Sequence, residues 1–144
     1  MLEAKYYLFL NPYPKHAFSN CPKCNTKTKI RKYCLVIHIE PCHFISLNKT
    51  CRYCQYCNLI IIKKQDLEQV LYWICEQNSL NIIGNDYFVY GTMERKDWKK
   101  GQQNKFDSKQ LMDHTYPFKD IWLFEVEPAS WVLNPNKNKK ACSN

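Results

Sequence analysis

Nine cysteines stand in a chain of 144 residues, and the spacing of several suits metal ligation. The stretches CPKCN (21–25) and CRYCQYCN (51–58) set thiols two residues apart. A pair so spaced makes a tight turn in which both sulfurs face one ion and backbone N–H groups face the sulfurs. The residue after the second cysteine commonly takes a left-handed conformation, which suits Gly and, next best, Asn. Asn25 and Asn58 occupy that place after Cys24 and Cys57, whereas pairing Cys51 with Cys54 would put Gln55 there. The expected ligands are therefore Cys21, Cys24, Cys54 and Cys57, with Cys51 as the extra thiol. Four thiolates close the coordination of one Zn2+, so the ion would hold the fold rather than do chemistry.

Disulfides are the competing use of so many cysteines. The odd count, the short C-x-x-C spacings and the lack of a secretory leader argue against them. The apolar start, MLEAKYYLFLNPYP, has no basic n-region and no small-residue cleavage site, and it suits a first strand. The longest purely aliphatic run, Leu59 to Ile62, falls far short of the roughly 20 residues a membrane span needs. A cytoplasmic location is the expectation.

Two further groups carry chemistry. Cys34, His38, Cys42 and His43, with Cys51, have the residue types of a second metal site or a Cys/His nucleophile pair. No acidic orienting residue is obvious among them, and packed hairpin residues are the simpler account. The basic residues are the other group. Residues 1–64 hold 11 Lys/Arg against 2 Asp/Glu, whereas residues 65–134 hold 7 against 11. In TKTKIRK, Lys27, Lys29 and Arg31 recur at strand period and form a phosphate-facing row. In RKDWKKGQQNK, Arg95, Lys96, Lys99 and Lys100 surround Trp98, an indole able to stack on an unpaired base. A solvated polar loop with Trp98 anchored in the core explains the same residues. The sequence contains no phosphate loop, dinucleotide fingerprint, nucleophile elbow or paired catalytic carboxylates.

The elements that must hold these residues follow from periodicity. TKTKIRKYCLVIHIEP (26–41) and HFISLNKT (43–50) predict an antiparallel hairpin turning at Pro41-Cys42, and NLIIIKK (58–64) a further strand. In QDLEQVLYWICEQN the apolar Leu67, Val70, Leu71, Ile74 and Cys75 mark one helix face, with Asp66 and Gln69 as a capping pair. NDYFVYGTM (85–93) predicts a strand, and FDSKQLMDH (106–114) a short helix capped by Asp107 and Gln110 with a Phe106/Leu111 staple. DIWLFEVEP (120–128) predicts a last strand. Gly84, Gly91 and Gly101 are expected where segments end, and PNKNKKACSN as a disordered basic tail (135–144).

Knuckle, hairpin, knuckle resembles the zinc-ribbon family over about residues 20–63. The whole chain is similar to a group of uncharacterised bacterial zinc-ribbon proteins in the order of LNPYP, LNKTCRYC and IGNDYFVYGT. That resemblance implies one shared architecture and supplies no activity. The expected fold is α+β: a four-cysteine zinc ribbon with its preceding strand (1–64), packed against a helix–strand–helix–strand unit (65–134). The expected function is non-enzymatic: a zinc-binding module contacting nucleic acid, RNA above all, through the basic ribbon face. A protein–protein adaptor docking through Tyr87, Phe88, Tyr90, Trp122, Phe124 and Trp131 comes second, and an enzyme of unknown class third.

Overall fold

A computed structural model of the chain describes residues 2–104 and 106–125. The first strand, β1 (Tyr7–Asn11), ends where Asn11 folds the chain back. The Asn11 amide donates to the His16 carbonyl and its Oδ1 accepts from the Tyr13 N–H, both at 2.8 Å. The long hairpin follows as β2 (Lys29–Ile39) and β3 (His43–Cys54), in register from Lys29↔Tyr53 to Ile39↔His43. β4 (Leu59–Lys63) pairs antiparallel with the end of β3 and parallel with β1.

The chain passes from β4 directly into α1 (Lys64–Gln77). The N-cap is Lys63, whose side chain makes no cap bond, so Asp66 lies in the first turn and the expected Asp66/Gln69 box does not form. With no intervening loop, the strand backbone itself supplies the helix entry. β5 (Tyr87–Met93) then pairs with β2 from Cys34↔Met93 to Ile39↔Tyr87. Gly91 lies inside this strand rather than at a segment end, and only glycine fits there, since a Cβ would run into the Tyr116 carbonyl oxygen.

RKDWKKGQQN forms a helix, α2 (Arg95–Asn104), where a polar loop was expected. Its single large apolar residue gives no repeat to read; Trp98 packs on the sheet, and the Gln102 amide donates to Ser46 Oγ of β3 at 3.5 Å. Gly101 also lies inside it, against the Phe106 ring. α3 (Ser108–Asp113) begins with the full Asp107/Gln110 capping box, and Phe106 packs on the cluster that holds Leu111. β6 (Thr115–Pro117) and β7 (Asp120–Ile121) close the described chain. The last strand thus pairs over two residues rather than throughout 120–128. Trp131, the rest of that expected strand beyond Glu125, and the tail 135–144 lie outside the described residues.

The architecture is α+β, with one mixed seven-stranded sheet ordered β6-β5-β2-β3-β4-β1-β7. The second half therefore runs helix, strand, two helices and two strands, not helix–strand–helix–strand, and its strands extend the sheet of the first half. β6 and β7 occupy opposite edges, yet only Phe118 and Lys119 separate them. Three Cα steps of 3.8 Å span at most about 11 Å, so the sheet must curl until its edges lie side by side. The Phe118 N–H donates to Tyr90 and the Lys119 N–H to Tyr6, tying the edges together at 3.2 and 2.6 Å.

One face of this sheet buries Leu8, Leu35, Ile37, Leu47, Ile60 and Ile62 beneath Leu67, Leu71 and Cys75 of α1. The opposite face is covered in two patches. Cys34, Val36 and Met93 pack with Leu111, Trp98 and Phe106 under α2 and α3. Phe9, Leu59 and Ile61 pack with Phe18, Cys21 and Cys54 beside the cysteine loops. Among the described residues no helix is long and apolar enough to cross a membrane.

Candidate metal centre

The first cysteine pair lies in the loop before β2. There the Cys21 N–H donates to the Thr26 carbonyl at 2.7 Å, and the Asn25 N–H to the Cys21 carbonyl at 2.8 Å. The second pair is the turn of the β3–β4 hairpin: Cys54 ends β3, opposite Leu59, and Cys57 precedes β4. Asn25 and Asn58 take the left-handed conformation, at φ 62° and 52°. Asn58 is held there by the Tyr53 hydroxyl, which donates to its Oδ1 at 3.0 Å.

These two turns bring the Sγ atoms of Cys21, Cys24, Cys54 and Cys57 within 4.8 Å of one another. Cys21 to Cys57 is 3.9 Å, and Cys24 to Cys54 is 3.5 Å. Sulfurs at 2.3 Å from a tetrahedral Zn2+ would stand about 3.8 Å apart, so the donor set fits that ion. A disulfide needs about 2.05 Å, and all eight described cysteines are free thiols. Phe18, Cys21 and Cys54 are buried, while Cys24 opens to solvent.

The protonation of the group is uneven. The Thr26 hydroxyl lies 3.2 Å from Cys24 Sγ. Together with the Thr26 backbone N–H it stabilises a thiolate, lowering the Cys24 pKa to about 6. Burial raises Cys21, and burial followed by the neighbouring thiols pushes Cys57 up to about 12. Four thiolates so close repel one another, and a divalent cation among them reverses that penalty. The Lys23 N–H also points at Cys21 Sγ, at 3.4 Å.

Cys51 lies elsewhere. Its thiol is 5% exposed, donates to the Lys49 carbonyl at 3.2 Å and belongs to the α1 side of the core. Burial pushes its pKa up to about 12. Cys34 donates to Asn48 Oδ1 at 2.8 Å, His38 packs edge-on to Phe44, Cys42 is exposed, and His43 is half-buried. Among the described residues these four form no second cluster of metal-ligand geometry.

The basic residues fall in two settings. Lys27, Lys29, Arg31, Lys96, Lys99 and Lys100 are exposed. Lys29 reaches across to Gln55 Oε1 at 2.8 Å, and the Arg31 guanidinium lies over the Tyr33 and Tyr53 rings at 5.6 and 5.3 Å. Arg31 and Arg95, far apart in sequence, line one cavity. Trp98 packs inward on the sheet. Lys5, Lys32 and Tyr33 line the same cavity without having been singled out by the sequence. Lys32 sits within TKTKIRK, but no local pattern marks Lys5. Among the aromatic residues expected to dock a partner, Trp122 stacks on Tyr7 at 4.1 Å and Phe124 meets Phe9 edge-on at 5.0 Å. Tyr87 donates to Glu68, and Phe88 remains exposed.

The chain matches no family model, no curated protein and no solved structure.

Proposed function

We propose that Cys21, Cys24, Cys54 and Cys57 hold one structural Zn2+, and that residues 20–63 work as a zinc ribbon. The convergence of the four sulfurs at tetrahedral spacing carries this reading. The ion would lock the loop before β2 onto the β3–β4 turn, and these cysteines share a buried cluster with Phe9, Leu59 and Ile61. Its role is to close the fold, since no coordination position remains for substrate.

The same module contacts nucleic acid, RNA above all, through the basic face of β2. Support comes from the exposed Lys27, Lys29 and Arg31 and from the meeting of Arg31 with Arg95 at one cavity. Lys96, Lys99 and Lys100 extend the positive surface along α2, with Trp98 as its anchor. Retention on an RNA column that falls steeply with salt tests this, because phosphate contacts release counterions. A protein partner is the second reading. It is favoured by an apolar cleft of about 320 Å3 beside the exposed Tyr72 and Ile83.

A further inference from the structure

β2 runs past its partner. Its pairing with β5 stops at Cys34, opposite Met93, although the strand begins at Lys29. Beside the unpaired stretch, next to the ends of β5 and β6, lies a cavity of about 190 Å3.

Cationic side chains from three separate segments line this notch: Lys5 ahead of β1, Arg31 and Lys32 on β2, and Arg95 at the start of α2. The one acid on its wall, Glu94, is already engaged. Tyr116 donates its hydroxyl to Glu94 Oε1 at 2.9 Å, and Lys96 lies 3.9 Å from Oε2. The N-terminal end of α2 adds the positive end of a helix dipole. Tyr33 also lines the notch; it is only 8% exposed, and its hydroxyl is buried without a hydrogen-bond partner among the described residues.

Arg31 and Arg95 present planar donor forks, the geometry that matches phosphate oxygens. The lining also includes buried Tyr33, Cys34 and Met93, which suits a group that ends in the notch better than one that passes through it. A phosphate within a strand carries one charge and two ester arms. A terminal phosphate carries up to two charges and one arm.

We propose that this notch binds a phosphate monoester, carried by the end of a nucleic-acid strand or by a small phosphorylated molecule. The strand-end form rests on the nucleic-acid reading above. The test uses the full metal-loaded chain and two short unstructured RNAs, one with a 5′-phosphate and one with a 5′-hydroxyl, followed by fluorescence anisotropy. The phosphorylated RNA is expected to bind at least about tenfold more tightly, a difference of about 1.4 kcal/mol. That advantage should disappear in Arg31→Gln/Arg95→Gln, and in Lys5→Gln/Lys32→Gln should the first variant fold poorly. Equal affinity for the two RNAs overturns the notch and leaves the nucleic-acid reading standing. If neither RNA binds, calorimetric titration with a nucleoside 5′-monophosphate decides. Binding that the variants abolish keeps the notch as a small-molecule site and removes the nucleic-acid reading, whereas no binding overturns both.

Discussion

Cys24 and Cys54, 30 positions apart in the chain, bring their sulfurs to 3.5 Å. Between them runs the β2–β3 hairpin, so the length and register of the hairpin set where the second knuckle meets the first. A slip of one residue would turn Cys54 to the opposite face. Convergence of the four sulfurs and correct hairpin register are thus coupled.

The overlapping knuckles are separable by substitution. Cys51→Ser should keep metal near one equivalent per chain, because Cys51 bonds the Lys49 carbonyl away from the cluster. Cys57→Ser should abolish stoichiometric binding. Metal analysis of the two purified variants reads the outcome, and the reverse pattern would assign CRYC as the knuckle.

Asn58 is expected to tolerate Gly and resist Val. Its φ of 52° suits a residue with no Cβ or with a short polar side chain. Val should lower stability by about 1–2 kcal/mol through backbone strain, measured by denaturant unfolding of the metal-loaded protein.

Phe9→Ala should cost about 3–5 kcal/mol. The ring is fully buried and meets both Phe18 and Phe124 edge-on. Thermal melts should show a large loss, and a loss within experimental error would mean that this patch does not pack as described.

The acid side of stability should respond to Glu68. Its pKa is lowered first by Lys64, 3.0 Å away, and also by the Tyr87 hydroxyl. A lowered folded pKa contributes stability above the ordinary carboxylate range of about 4.3 and loses it as pH falls through the folded value. The side chain is 44% exposed, so screening keeps the effect under about 1 kcal/mol. Glu68→Gln should therefore destabilise slightly at neutral pH and match the wild type in acid, as urea midpoints across pH would show.

Changing Lys27, Lys29 and Arg31 together to Glu should leave metal content intact and cost less than about 0.5 kcal/mol per site. RNA binding should fall sharply, with the logarithmic salt slope flattened by up to about 2–3 units. Binding that survives the change would move the contact to Arg95, Lys96, Lys99 and Lys100.

Local patterns carried much of this structure. The i, i+3, i+4 repeat from Leu67 to Cys75 marked α1, and Asp107 with Gln110 marked the start of α3. The Asn after each knuckle picked out Cys57 over Cys51 as the residue that joins the sulfur cluster. What stayed hidden depends on pairing between distant segments. The curl of the sheet follows from Phe118 and Lys119 bridging two edges, which no window of sequence contains. α2 was missed because a helix whose one large apolar residue is Trp98 has no apolar repeat. Lys5 met Arg31 and Arg95 only through the curl, since two strands separate β1 from β2 in the sheet.

The most direct test of the central claim is metal quantification on the full chain purified under reducing conditions. One zinc per chain, lost in Cys57→Ser and retained in Cys51→Ser, is the predicted result. Protein that is folded yet holds neither zinc nor iron in stoichiometric amount would contradict it.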